Sequence, residues 1–190
     1  MKTVLLLPGN KQSIETHPYN KTVEAIKKAG YKVKFITIQW KYTTINDWVA
    51  QLHEEYKKYD PKNTILAGFS FGSMTVFLEA TRRPPAELWL FSLSPYFAED
   101  LPNLKDKWKE GIGKKRVKVF SELRFNDLVK KISSKTLIFA GDQEIKRYLQ
   151  LSYRFEDAHA KIKNSKFIVA KGVGHDVTNP NYIDAIVKNI

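Results

Sequence analysis

The chain has 190 residues, 32 Lys+Arg against 20 Asp+Glu for a net charge of +12, no cysteine, and 43 % hydrophobic residues. That length can bury well over half of the unfolded surface around one core, and an aromatic share of 13 % is too rich for a disordered segment. The missing cysteines exclude disulfides, thiolate zinc sites, iron–sulfur ligation and a cysteine nucleophile.

The longest apolar run near the start, Val4 to Leu7, is far below the roughly 20 residues of a membrane span. It stops at Pro8-Gly9-Asn10, too soon for the core of a signal peptide, so the cytoplasm is the expected compartment. The positive charge comes from 26 Lys and only 6 Arg, spread over nearly every segment. Acids interrupt even the densest basic stretch, 105–118, and no zinc-finger spacing or RNP-type aromatic pattern occurs. This is a solvated, solubilising lysine surface, with no nucleic-acid partner and no membrane partner expected.

Taken in chain order, residues 2–7 read as a buried strand. A helix begins near Pro18, with Tyr19, Val23 and Ile26 on one face, and stops at Ala29-Gly30. Residues 31–38 alternate apolar and lysine positions, a second strand. Thr44-Ile45-Asn46-Asp47 resembles a capping box, opening a helix that carries Trp48, Val49, Leu52, Tyr56 and Tyr59. Residues 64–67 form a short strand. A glycine-flanked turn at 68–72 then leads into a helix running to about Arg82, and Arg83-Pro84-Pro85 breaks the chain before a strand at 88–93.

Residues 97–134 are the longest stretch between strands and predict two helices, around 104–110 and 121–131, with a break at Gly111-Ile112-Gly113. A strand at 136–140, a helix over about 144–161 and a last strand at 166–170 follow. Asn179-Pro180 starts the closing helix. Strands and helices alternate without repeat or linker, which predicts one α/β domain spanning 1–190. Its sheet is mostly parallel, of about six strands, with helices on both faces. Right-handed crossovers put every strand-to-helix loop at the carboxyl edge of that sheet, so chemistry is expected there.

Gly68-Phe69-Ser70-Phe71-Gly72 is a G-x-S-x-G pentapeptide lying between a predicted strand and a predicted helix, the setting of a nucleophile elbow. The turn would raise the Ser70 hydroxyl above the sheet and aim the Phe71 amide at a developing oxyanion. The plain alternative is an ordinary glycine-rich turn. A serine hydroxyl needs a base. His53 and His159 lie in amphipathic helices, and His17 precedes a helix. His175, in Gly172-Val173-Gly174-His175-Asp176, follows the last strand at the correct edge and is the one strong candidate. Gly141-Asp142-Gln143-Glu144 offers two carboxylates at that edge to orient the imidazole. No phosphate-binding G-x-x-x-x-G-K-[ST], no G-x-G-x-x-G after a strand and no H-E-x-x-H is present, so neither cofactor nor metal is expected.

Serine, acid and histidine, each after a successive strand, make the chain similar to the α/β-hydrolase superfamily, and to its small, minimally decorated bacterial serine hydrolases in particular. The resemblance covers nearly the whole chain. It implies an oxyanion loop at 7–10, with the Asn10 amide as second donor and Gly9 beside the substrate. It implies a Ser70–His175–acid triad that cleaves a small-molecule ester or thioester through an acyl-serine. Two departures stand out. The acid loop of the superfamily reads G-x-x-D, whose fourth position here is Glu144, so the acid role goes to Glu144 ahead of Asp142. The oxyanion loop reads P-G-N instead of H-G or HGGG. Residues 97–134 would form a small lid in which Tyr96, Phe97, Trp108, Phe120 and Phe125 either line the site or pack the core. A catalytically inactive binding protein on the same fold is the competing reading.

Overall fold

A computed structural model describes residues 1–15, 17–147 and 149–190, with backbone alone at 147 and 149–152. Among the described residues, six strands form one sheet: β1 (Thr3–Leu7), β2 (Lys32–Phe35), β3 (Thr64–Phe69), β4 (Glu87–Phe91), β5 (Lys135–Gly141) and β6 (Ser165–Ala170). Their order is β2-β1-β3-β4-β5-β6 and every pairing is parallel. The chain first builds outward from β1 to β2 and then reverses through β3. The strand carrying the glycine–serine turn therefore sits beside the point where the winding changes direction, the crevice at which open α/β sheets bind ligands.

β3 and β4 are buried along their whole length, as unbroken apolar strands covered on both faces should be. β1 shows how the faces divide. Val4 and Leu6 point toward α1 (Tyr19–Lys28) and α9 (Pro180–Val187), packing with Tyr19, Val23, Ile26, Tyr182 and Ile186. Leu5 and Leu7 point the other way, into a larger layer with Trp48 and Leu52 of α2 (Ile45–Tyr56), Met74 and Phe77 of α3 (Phe71–Ala80), and Phe155 and Ala158 of α8 (Leu149–Lys161). The period of two along the strand is the cause.

Local signals set the helix starts. The Thr44 amide and hydroxyl donate to Asp47 Oδ2 at 2.7 and 2.9 Å, and these bonds hold the Asp47 carboxyl below its ordinary range. Asn179 Oδ1 accepts from the Asn181 amide at 3.0 Å, with Pro180 as the first residue of α9.

Three expectations need correction. The second strand is shorter than 31–38: β1 pairs in register with Lys32–Phe35, the Ile36 amide makes a last bond to the Leu6 carbonyl at 2.9 Å, and Ile36 and Ile38 pack in the layer of α2. The 97–134 stretch holds three α-helices where two helices are expected, α4 (Asp106–Ile112), α5 (Lys114–Phe120) and α6 (Phe125–Leu128), with short 3-10 turns at Leu101–Asn103 and Val129–Lys131. Gly113, at φ 90°, ends α4 and starts α5, and Arg124 is extended before α6. The single helix expected over 144–161 is instead α7 (Asp142–Arg147), which starts directly on the end of β5, and then α8; Tyr148 lies outside the described residues.

Candidate active site

Ser70 stands between the last residue of β3 and the first of α3, at φ 57° and ψ −119°. No L-residue adopts that conformation without cost, and here the parallel strands and a fully buried helix hold it. The flanking glycines have a steric cause. A Cβ on Gly68 would lie 2.3 Å from the Gly72 carbonyl oxygen, and one on Gly72 would lie 2.3 Å from that of Pro8. The Ser70 amide donates to the Phe91 carbonyl at 3.0 Å, tying the turn to β4. Phe71 is the first residue of α3, where an amide has no partner inside the helix, and its ring stacks on Trp48 with centroids 5.5 Å apart.

His175 lies on the loop between β6 and α9 and shares a cavity with Ser70. Its Nδ1 is 2.7 Å from Glu144 Oε1, and its ring lies against Phe69, the residue before Ser70, at 4.6 Å between centroids. Glu144, in the first turn of α7, is 7 % exposed at its side chain while His175 is 39 % exposed, so the carboxylate is sunk and the imidazole faces the cavity. With Nδ1–H donated to Glu144, Nε2 carries the lone pair. Asp142 does something else. Its Oδ1 accepts from the Gly172 and Val173 amides at 2.8 and 3.2 Å, clamping the histidine loop to the end of β5. The same crossing explains Gly141, whose Cβ would meet the Val173 carbonyl oxygen at 2.2 Å.

Among the described residues, the Ser70 hydroxyl is hydrogen-bonded to the Ser94 hydroxyl at 3.1 Å, not to His175. The cavity, of about 610 Å³, is lined by Ser70, Ser94, Pro95, Tyr96, Lys107, Trp108, Gly111, Glu144, Phe155 and His175. Tyr96 is at the wall, and Trp108 reaches it from α4. Phe97 is not. It is fully buried between Phe77 and Phe125, with the Arg154 guanidinium over its ring, because Asp100 pulls this turn inward: Asp100 accepts the Phe97 amide at 2.9 Å and pairs with buried Arg154 at 2.5 Å. Phe120 and Phe125 are fully buried too.

Gly9 and Asn10 stand outside the lining of the cavity. The Gly9 amide donates to the Tyr19 hydroxyl at 2.9 Å and to Gln12 Oε1 at 3.1 Å. Asn10 Oδ1 is buried without a partner among the described residues. The other histidines have structural partners: His53 meets Glu79, His159 meets Ser165, and His17 lies 3.7 Å from Asp176. Sequence reasoning missed Ser92, Ser94 and Tyr182. The two serines sit just past β4, at the same sheet edge as the other site loops, and that position was their signal; Tyr182 had none.

No group of acidic and histidine side chains among the described residues is arranged to hold a metal ion, and no helix among them is long and apolar enough to cross a membrane. No family model and no curated protein matches the chain. Solved structures do. Est1E from Butyrivibrio proteoclasticus superposes with a TM-score of 0.78 at 17 % identity, over 98 % of this chain and 84 % of that one. MGS-MChE2, an alpha/beta hydrolase enzyme from a sediment metagenome of the lagoon of Mar Chica, gives 0.67 at 16 %, over 93 % and 83 %. The esterase Pf2001 of Pyrococcus furiosus gives 0.65 at 19 %, over 98 % and 81 %. With its six parallel strands, their order and these likenesses, the chain has the α/β-hydrolase fold.

Proposed function

We propose that the protein is a serine hydrolase that cleaves a carboxylic ester or thioester through an acyl-serine intermediate. The observation that carries this reading is one constellation: Ser70 on a positive-φ turn, His175 in the same cavity, and Glu144 2.7 Å behind the imidazole. In the proposed sequence the Ser70 hydroxyl leaves Ser94 and turns to His175 Nε2, which takes its proton as Oγ bonds to the carbonyl carbon. The Phe71 amide, without a partner inside α3 and reinforced by that helix's dipole, stabilises the oxyanion, with Asn10 as the proposed second donor. Glu144 holds the imidazole and balances its positive charge. His175 then protonates the leaving group, and water activated by the same imidazole releases the acid and regenerates Ser70. Asp142 is left with the structural role of its two backbone bonds.

Residues 97–134 serve in this reading as a lid. Arg116 of α5 donates to the Thr43 carbonyl at 2.9 Å and lies over Trp48, docking the segment on α2. Tyr96, Trp108 and Phe155 set three aromatic rings in the cavity wall, which suits an acyl chain of small to medium length. The Ser70–Ser94 bond favours a second reading, a binding protein on this fold in which the serine is not engaged by a base. A fluorophosphonate probe and a graded series of p-nitrophenyl esters separate the two. Hydrolysis predicts one covalent adduct on Ser70 and turnover that depends on chain length; wild-type protein that is neither labelled nor active would overturn the hydrolase reading.

A further inference from the structure

Ser92 follows β4 directly, is fully buried, and sits at φ 48°, a conformation a glycine would adopt freely and a serine adopts only at a cost. Its hydroxyl lies 2.7 Å from Glu144 Oε2 and 3.0 Å from the hydroxyl of Tyr182, on α9. A serine hydroxyl has one proton. Given to the carboxylate, it leaves the Ser92 oxygen as acceptor, so Tyr182 must be the donor. Burial keeps the Tyr182 phenol protonated far above its ordinary range, consistent with that direction. The phenol is held in place by Phe91 and Phe139, with ring centroids 6.4 and 6.5 Å away.

The carboxylate is therefore anchored on both oxygens. Oε1 takes His175; Oε2 takes Ser92 and, at a longer 3.4 Å, the Gly141 amide. A glutamate in this place needs more anchoring than an aspartate, because it has one more bond to rotate about and a broad terminal torsion. We propose that Ser92 and Tyr182 form a buried hydroxyl relay, Tyr182 to Ser92 to Glu144, that fixes the acid against His175 and makes both of them positioning residues for the chemistry at Ser70. The inference rests on the hydrolase reading above.

The test measures p-nitrophenyl ester kinetics and fluorophosphonate labelling of the full chain in Ser92→Ala, Ser92→Gly, Tyr182→Phe and the Ser92→Ala/Tyr182→Phe double variant. Melting curves test whether each is folded. Ser92→Gly is the informative one, since it relieves the backbone while removing the donor. A relay predicts that Ser92→Gly and Ser92→Ala lower kcat and the labelling rate by about 10-fold or more, on the scale of other outer-shell hydrogen bonds, with KM moving less than about two-fold. Tyr182→Phe should cost about three-fold alone and nothing further on top of Ser92→Ala, because it acts through that hydroxyl. Should the Ser92 variants fail to fold, the kcat of Tyr182→Phe decides. Active wild type with an equally active Ser92→Gly, or with Tyr182→Phe unchanged in kcat, overturns the relay alone. A wild type that is neither labelled nor active overturns the hydrolase reading and the relay together.

Discussion

Two of the helices around the cavity are built on opposite terms. All ten residues of α3 are buried, whereas none of the seven residues of α4 is. α3 starts directly after Ser70 and packs against β3, β4 and α2, so the serine inherits the rigidity of the core. α4 brings Lys107, Trp108 and Gly111 to the same cavity from the surface. The cavity thus joins a serine side fixed by close packing to a wall in which no residue of α4 is buried. Activity should be sensitive on the first side and selectivity on the second.

Substitutions that set one side against the other test this contrast. Ser70→Ala should lower ester turnover by a factor on the order of 10⁴ or more and abolish probe labelling, with the melting curve in place; that is read by steady-state kinetics beside calorimetry. Gly72→Ala attacks the packing itself. Its Cβ would lie 2.3 Å from one backbone oxygen and 2.8 Å from another, neither of which can swing aside as a side chain would. Denaturant titration should show a loss of about 3 kcal/mol with activity falling alongside.

On the α4 side the effects should be smaller and of another kind. Trp108→Ala is expected to alter the ratio of kcat/KM between short and long esters by about 10-fold while costing less stability than Gly72→Ala. Gly111→Ala reverses the sign seen at Gly72. Nothing lies within 4 Å of the added Cβ, so better helix propensity should stabilise α4 by ~0.5–1 kcal/mol, read by hydrogen exchange across 106–112. A clash or loss of stability there would show that the wall is packed as tightly as the elbow.

The smallest effect is electrostatic and lies at the start of α2. Bonds from Thr44 hold the Asp47 carboxyl below its ordinary value of 3.8. A lowered carboxyl contributes stability that is present above the ordinary value and disappears as pH falls through the lowered one. Asp47→Ala should therefore melt below wild type near pH 7, and the gap should close on acidification below the usual carboxylate range. A gap independent of pH would assign the effect to packing.

Most of the scaffold was readable because its signals are short-range. A tight turn names its glycines, an amphipathic helix shows its spacing, and a buried strand shows an unbroken apolar run. Where the reading slipped, competing tertiary contacts had intervened. The second strand paired with β1 over only four residues, and beyond the expected break at Gly111–Gly113 a helix at 114–120 and an extended Arg124 replaced the single helix expected over 121–131. Phe97 looked like a wall residue until the buried Arg154–Asp100 pair drew its turn inward.

By itself, the sequence determined the alternation of strands and helices, the turn at Ser70 and the loop that carries His175, because each depends on neighbours a few residues away. Only the tertiary structure decided that Glu144 meets the imidazole while Asp142 ties down the loop, and that Ser92 and Tyr182 stand behind the acid. Those bonds join groups separated by 30 to 90 residues. Their length and direction follow from where rigid elements end in space, which no local pattern of residues records.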